Sequence, residues 1–130
     1  MQKSATVAVI SNNKLLLLKR GESAPWNPNR YCLPGGKLEH DETLVDCAVR
    51  ELIEETNIVL KSNELTPINI SYPNYSKIVF VCNNDSNYTV ILNWEHSDAR
   101  WVSYQESSLV DLVPGLATTI KTLKGHGYLS

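Results

Sequence analysis

With 130 residues, of which 42% are hydrophobic and 20% are charged, the chain has the composition of a folded protein and is long enough to bury a core. The net charge is −2 and the basic residues are dispersed, so no nucleic-acid-binding surface is expected. The longest leucine run, Leu15 to Leu18, is too short to span a membrane, and the three cysteines form no CxxC pair. We therefore expect a single domain over residues 1–130, cytoplasmic, with buried thiols and no membrane partner.

The first part of the chain predicts two strands, a tight turn and a loop. Residues 4–10 (SATVAVI) and 14–20 (KLLLLKR) are β-branched or aliphatic runs that are typical of strands. Asn12 and Asn13 between them tolerate positive φ, so we expect an antiparallel hairpin. Residues 21–30 contain two prolines and several turn formers, and they predict a loop that leads towards the first helix.

After this first helix the chain returns to strand patterns and ends with helical ones. Runs of β-branched and aromatic residues predict strands over residues 64–72, 77–82, 88–94 and 99–103. The spacing of leucine and isoleucine predicts helices over residues 104–112 and 115–123, on either side of Pro114. The order of these elements indicates an α+β protein with a mixed sheet rather than a regular βαβ repeat.

The first helix has clear start and stop signals. Thr43 is a good N-cap, and nearby acids suit the positive end of the helix dipole. Asn57 stands where the chain must turn left-handed, and Asn is the best residue after Gly for that conformation. The apolar stripe predicted to face the sheet consists of Leu44, Cys47, Ala48 and Leu52.

The last two turns of this helix carry an unusual cluster of acids. Glu51, Glu54 and Glu55 share one face, where like charges repel by roughly a few tenths of a kcal/mol per pair, and they lie at the negative end of the dipole. One interpretation is a solvated acidic face with an i,i+4 ion pair between Arg50 and Glu54. The other is a site for a hard divalent cation, which prefers oxygen ligands and offsets the repulsion.

The spacing around these acids resembles the Nudix box, the signature of the Nudix hydrolase family. The matching positions include Gly36, Glu42, Arg50, Glu51, Glu54, Glu55 and Ile58. Asn57 stands where the family pattern has Gly, and Asn can adopt the same backbone conformation. The segment LPGG at the start of the box and the segment WEHSDARWVS after it extend the likeness over most of the chain.

The resemblance implies a Nudix-type α/β/α sandwich with a mixed central sheet, and Mg²⁺-dependent hydrolysis of a pyrophosphate bond, with Mn²⁺ as a substitute. The metal ligands that it implies are the carbonyl of Gly36 and the carboxylates of Glu51, Glu54, Glu55 and Glu95. The catalytic residues that it implies are Glu51, Glu54, Glu95 and Arg50. Glu51 is the first candidate for the general base and Glu95 is the second, whereas Arg50 and Glu42 form a supporting pair.

Candidate substrate-binding residues lie before the box and in a turn after it. They are Arg20, Arg30, Tyr31 and Tyr75, with Trp26 and Tyr72 as further aromatic candidates. The arginines can meet phosphate and the aromatic rings can stack on a base, although surface arginines and packing aromatics fit the same pattern. His96 is a further candidate base, but a lone His in a loop is more often a bystander.

The sequence leaves the substrate open. Pro73 resembles a marker of ADP-ribose pyrophosphatases and Tyr75 one of dinucleoside polyphosphate hydrolases, but each is a single residue in a turn. We expect a nucleotide substrate in which a nucleoside diphosphate is linked to another group, such as ADP-ribose, a dinucleoside polyphosphate or a nucleotide sugar. The alternatives are a pyrophosphatase that sanitises nucleoside triphosphates and a Nudix-fold sensor without activity. Many members of the family pair, which leaves a homodimer open.

Overall fold

The computed structural model, which describes residues 2–130, has a seven-stranded sheet with helices packed against it. The strands are β1 (Ser4–Ser11), β2 (Lys14–Arg20), β3 (Tyr31–Cys32), β4 (Gly35–Lys37), β5 (Thr66–Ser71), β6 (Ser76–Asn83) and β7 (His96–Val102). The helices are α1 (Leu44–Thr56), α2 (Tyr104–Ser107) and α3 (Leu116–Gly125), and a 3₁₀ turn covers Ser62–Glu64. The predicted α+β class is confirmed.

The sheet is mixed, as the order of elements predicted. Its central path runs in the order β3, β2, β1, β6, β5, while β4 pairs with β1 and β7 pairs with β2. β1 and β2 form the expected antiparallel hairpin with Ser11 opposite Lys14, and Asn12 and Asn13 both have positive φ in its turn. β1 is parallel to β6, whereas the other paired strands are antiparallel.

The core lies on both faces of β1. Val7, Ala8 and Val9 are all fully buried, although successive side chains of a strand point to opposite faces. A strand that is buried on both faces must lie between two layers. α1 packs against β1 and β4, and α3 packs against β5, which agrees with the predicted sandwich.

Two further expectations concern the cysteines and membrane spans. Cys32, Cys47 and Cys82 are free and buried, as predicted. The longest helix of the described residues, α1, has 13 residues. No helix within residues 2–130 is long and apolar enough to cross a bilayer.

The strand predicted over residues 88–94 is wrong, because these residues form an irregular segment. They alternate between half-buried and exposed side chains as a strand would, and Tyr88 stacks on Trp101 with ring centroids 6.2 Å apart. They lie outside the sheet, and the N–H of Ile91 donates instead to the carbonyl of Thr56, the last residue of α1, at 2.9 Å. β7 was predicted over residues 99–103 but begins at His96 and pairs along most of β2.

The helix predicted over residues 104–112 is only one turn long. Ser103 starts it with a capping box formed with Glu106, as a longer helix would start. Ser107 and Ser108 then donate side-chain hydrogen bonds of 2.6 and 2.9 Å to carbonyls of the same turn. Such bonds compete with continuation of the helix. The last predicted helix is confirmed as α3.

Candidate active site

The helix caps place three acids at one end of α1. The helix begins after Thr43, whose Oγ1 accepts a hydrogen bond from the N–H of Asp46 at 3.2 Å. It ends at Asn57, which has a φ of 62° and donates its N–H to the carbonyl of Ile53 at 2.9 Å. Both caps confirm the predictions. Because the helix ends at Thr56, the three acids Glu51, Glu54 and Glu55 lie in its last two turns.

The acidic cluster, Glu51, Glu54 and Glu55, is partly buried. Glu55 is 2% exposed and Glu51 is 9% exposed, whereas Glu54 is open to solvent. Burial raises the pKa of Glu55 to about 8, with repulsion from Glu51 and Glu95 adding to the increase, although the N–H of Gly35 donates to Glu55 Oε1 at 2.8 Å. Burial also raises the pKa of Glu51. Both carboxylates therefore lie in surroundings that disfavour negative charge, a condition that a bound cation relieves.

Arg50 joins the acidic cluster to the loop that precedes α1. Its Nε and Nη2 donate to the two carboxylate oxygens of Glu42 at 2.7 and 2.8 Å, a bidentate contact. Nη1 donates to Glu51 and Glu54 at 3.0 and 3.2 Å, and Nη2 donates to the carbonyl of Lys37 at 3.0 Å. The contact with Arg50 lowers the pKa of Glu42 to about 2 and raises that of the guanidinium. Arg50 therefore orients the carboxylates and ties them to the loop.

Gly36 is the point at which the loop comes closest to the acidic cluster. A Cβ at this position would overlap the carboxylate of Glu51, so the close approach requires glycine. The carbonyl of Gly36 accepts a hydrogen bond from Cys47 Sγ at 3.5 Å, which holds the loop against α1. Gly36 and the acidic cluster together form an oxygen-lined cradle.

The donor set of this cradle fits a hard divalent cation. Three carboxylates and a backbone carbonyl are oxygen ligands of the kind that Mg²⁺ and Mn²⁺ take. Within residues 2–130, no three His, Cys, Asp or Glu side chains are already arranged to hold an ion. The carboxylates are instead oriented by hydrogen bonds from Arg50 and Gly35. Because the three glutamates share one helix face, side-chain rotation alone can turn their oxygens towards an ion.

A cleft of about 260 Å³ begins at this cradle and runs across the sheet. Its lining includes Arg20, Trp26, Gly36, Glu55, Tyr72, Tyr75, Lys77, Glu95 and His96. Arg20 Nε donates to the carbonyl of Trp26 at 2.6 Å, and the guanidinium lies 5.2 Å from the centroid of that indole ring. We call the end at Gly36 and Glu55 the acidic end, and the end at Tyr72, Tyr75 and Lys77 the aromatic end.

The structure brings some of the predicted substrate-binding residues to the cleft and leaves others outside it. The predicted substrate-binding residues Arg20 and Tyr75 line the cleft, as do the further aromatic candidates Trp26 and Tyr72. Of the predicted metal ligands, Gly36, Glu55 and Glu95 line it, whereas Glu51 and Glu54 are outside the lining formed by residues 2–130. Tyr31 is instead buried and donates its hydroxyl to Asp98 at 2.7 Å, while Arg30 forms an ion pair with Asp111 at 3.7 Å. Among residues 2–130, the cleft lining includes neither Tyr31 nor Arg30. Successive side chains of β3 point to opposite faces, and it is Cys32 rather than Tyr31 that lines the cleft.

His96 and Lys77 have surroundings that the sequence did not reveal. His96 is the buried first residue of β7, with Nε2 3.6 Å from Cys32 Sγ and with no partner for Nδ1 in the described part of the chain. Burial lowers the pKa of His96 to about 4. Lys77 lies in β6, two residues before Val79 and four before Val81, so its side chain points to the same face of the strand as these two buried valines. A charged residue at a core-facing position of a strand was the signal that could have found Lys77.

The arrangement of sheet and helices has counterparts among solved structures. The MutT protein from Methanosarcina mazei Go1 has a TM-score of 0.77 and 25% identity, over 95% of this chain and 93% of that one. An Ap4A hydrolase from C. elegans has a TM-score of 0.75 and 20% identity, over 95% of this chain and 97% of that one. The protein is therefore an α+β domain with the Nudix fold.

The family model of the NUDIX domain matches residues 1–123 of this chain, so the chain belongs to the Nudix family. A MutT-like protein of Streptomyces ambofaciens is 37% identical over 82 residues, which are 60% of this chain and 48% of that protein. The m7GpppN-mRNA hydrolase NUDT17 of Danio rerio is 46% identical over 55 residues, 42% of this chain and 18% of that one. An ADP-ribose pyrophosphatase of Methanocaldococcus jannaschii is 43% identical over 56 residues, 42% and 31% of the two chains. This chain spans less than half the length of each of these relatives.

Proposed function

We propose that the protein hydrolyses a phosphoanhydride bond in a nucleoside diphosphate linked to another group, with Mg²⁺ or Mn²⁺ as cofactor. The observation that carries the proposal is the acidic cluster beside Gly36, in which Glu51 and Glu55 are buried. A solvated acidic face does not account for this burial, since a buried carboxylate is costly unless its charge is compensated, and Glu55 belongs to none of the ion pairs formed by residues 2–130. A cation site accounts for both the crowding and the burial.

The cradle supplies the ligands of the cation in this proposal. They are the carbonyl of Gly36 and the carboxylates of Glu51, Glu54 and Glu55, with Glu95 in the cleft wall. A divalent cation held there would neutralise charge on the phosphoanhydride oxygens and make a bound water more acidic. Arg50 stays charged and keeps the carboxylates oriented through its bonds to Glu42 and to the cluster itself. Arg50 therefore acts by positioning.

Glu51 is our first choice for the general base, and Glu95 is the second. A general base must come within hydrogen-bond reach of the attacking water. Glu51 lies against the glycine loop, and Arg50 holds one of its oxygens at 3.0 Å, so the carboxylate has a set orientation. Glu95 lines the cleft and contributes to the raised pKa of Glu55, so it lies near the acidic end.

The cleft supports a substrate with a nucleotide part. Arg20 can meet phosphate, and the exposed rings of Tyr75 and Trp26 can stack on a base. Two relatives are named as enzymes acting on ADP-ribose and on m7GpppN-mRNA, in which phosphates join a nucleotide to a second group. For this chain we propose the same class, which includes ADP-ribose, dinucleoside polyphosphates and nucleotide sugars.

Product analysis by chromatography tests this function. The purified protein is incubated with and without Mg²⁺ against ADP-ribose, diadenosine polyphosphates, nucleotide sugars, and ordinary and oxidised nucleoside triphosphates. We expect metal-dependent release of a nucleoside monophosphate from one of the first three classes. Turnover of triphosphates alone would replace this class with a sanitising activity. Nucleotide binding without any turnover would contradict the proposal and favour a sensor.

A further inference from the structure

The aromatic end of the cleft holds a cation without a counter-charge. Lys77 lies near the start of β6, lines the cleft and places its Nζ 5.9 Å from the centroid of the Tyr72 ring. None of the ion pairs formed by residues 2–130 includes Lys77. The amine is partly buried, and burial lowers its pKa below the ordinary value. An anion bound in the cleft would compensate that charge.

The sheet register fixes the position of this cation relative to the acidic end. β4 pairs with one side of β1, where Lys37 lies opposite Ser4. β6 pairs with the other side in parallel, and its register, continued from the pair Val7 and Phe80, puts Lys77 beside Ser4. Lys77 is therefore two strand spacings, about 10 Å, from β4 and its glycine loop. Ser4 and Lys77 both line the cleft, so they face the same ligand space.

We propose that Lys77 binds a second phosphate of the substrate, two strands across the sheet from the glycine loop of the acidic end, where the bond is cleaved. This inference rests on the proposed function, which places the reacting diphosphate at the acidic cluster. A second phosphate at this distance has two sources, a phosphate carried by the ribose or a further phosphate of a longer chain. Lys77 does not reach the reacting atoms in either case. It determines specificity for the group attached to the diphosphate.

Two neighbouring contacts favour an anion over a neutral group at this position. The hydroxyl of Tyr72 pairs with Thr119 Oγ1 at 2.7 Å, which fixes the ring beneath Lys77 at the wall of the cleft. Arg20, another cation of the cleft lining, uses its Nε on the carbonyl of Trp26 and keeps only its Nη atoms for a phosphate. Hydrogen bonds between charged groups are about twice as strong as neutral ones. A phosphate therefore gains more from Lys77 than a base carbonyl does.

Calorimetric titration in the presence of Mg²⁺ tests this subsite without requiring turnover. The probes are adenosine 5′-monophosphate, adenosine 3′,5′-bisphosphate and an ATP analogue in which methylene groups replace both oxygens that bridge phosphates, none of which has a cleavable phosphoanhydride bond. We expect the bisphosphate or the ATP analogue to bind the wild-type protein about tenfold more tightly than the monophosphate. The probe that shows the advantage identifies the source of the second phosphate.

Substitutions at Lys77 show whether this residue provides the advantage. Lys77→Met should remove it without changing the affinity for the monophosphate, and Lys77→Arg should keep it. Lys124→Met is the matched control, because Lys124 also lies over a tyrosine ring, that of Tyr104 at 4.7 Å, but outside the cleft lining of residues 2–130. An unchanged affinity for the monophosphate also shows that the Lys77→Met protein is folded.

The two proposals fail in different ways. No advantage for either probe, or an advantage that survives Lys77→Met, would overturn the role of Lys77 and leave the hydrolysis untouched. An advantage that depends on Lys77, in a protein that cleaves none of the tested nucleotides, would support the subsite and contradict the proposed reaction. Loss of the advantage in Lys124→Met as well would show a general charge effect and overturn the subsite.

Discussion

The two ends of the cleft are built in opposite ways. At the acidic end, a single residue, Arg50, donates hydrogen bonds to the carboxylates of three glutamates, which are Glu42, Glu51 and Glu54. Each of these side chains is therefore held in place. At the aromatic end, Tyr75 is 61% exposed, and Lys77 has no counter-ion among the described residues. We therefore expect substitutions at the acidic end to disturb its geometry strongly, whereas the aromatic end has groups left free to contact a ligand. We expect the rate of the reaction to depend on the acidic end and the choice of substrate to depend on the aromatic end.

Gly36→Ala should break the acidic end most strongly among the changes that leave every charge in place. The new Cβ overlaps the carboxylate of Glu51, and a displacement of about 1 Å in a reacting group costs about 100-fold in rate. The measurement is kcat with saturating Mg²⁺ and substrate. Gly125→Ala in α3 should keep full activity, because a Cβ there meets no atom of the described residues within 4 Å. A Gly36→Ala protein with wild-type kcat would refute the close approach.

Tyr75→Ala should affect the aromatic end alone. Loss of one base-stacking surface costs about 1–3 kcal/mol, so KM should rise about tenfold or more while kcat stays near its wild-type value. Tyr75→Phe keeps the ring and serves as the control. Because Tyr75 stacks on Tyr72 with ring centroids 4.7 Å apart, Tyr75→Ala should lower the melting temperature slightly, whereas Tyr75→Phe should not. A fall in kcat as large as the rise in KM would contradict the assignment of catalysis to the acidic end and of substrate binding to the aromatic end.

Glu42→Gln should give the smallest effect, which is a change in the pH dependence of stability. The hydrogen bond from Arg50 lowers the pKa of Glu42 from 4.5 to about 2 in the folded protein. The stability that this group contributes is present above pH 4.5 and is lost as the pH falls through 2. Urea unfolding across this range should therefore show a larger loss for the wild type than for Glu42→Gln. Equal losses would show that the bidentate contact adds no stability.

Features that depend on neighbours in the chain were predictable from the sequence. The turn at Asn12 and Asn13, and the caps at Thr43 and Asn57, follow from local backbone preferences, and the structure has all of them. The shared face of the acidic cluster likewise follows from helical spacing alone. Burial of two of its members was not predictable, because it depends on how the loop at Gly36 folds over the helix.

Features that depend on distant pairing were missed. Residues 88–94 have the alternation of a strand, but they lie outside the sheet, where Ile91 donates its N–H to the carbonyl of Thr56 in α1. Tyr31 lies close to the box in sequence, yet strand pairing directs its hydroxyl to Asp98. Lys77 reaches the cleft only because β6 aligns with β1 in a particular register, which no local pattern determines.

The most direct test of the central claim removes the charges of the acidic cluster one at a time. Glu54→Gln and Glu55→Gln are compared with Asp46→Asn, which removes an exposed carboxylate from the first turn of the same helix. The measurement is Mg²⁺-dependent kcat on the substrate identified by product analysis, with circular dichroism as a check of folding. We expect both glutamine variants to be folded and slower by orders of magnitude, and the asparagine variant to be unchanged. Wild-type rates in both glutamine variants would contradict a cation site at the acidic cluster.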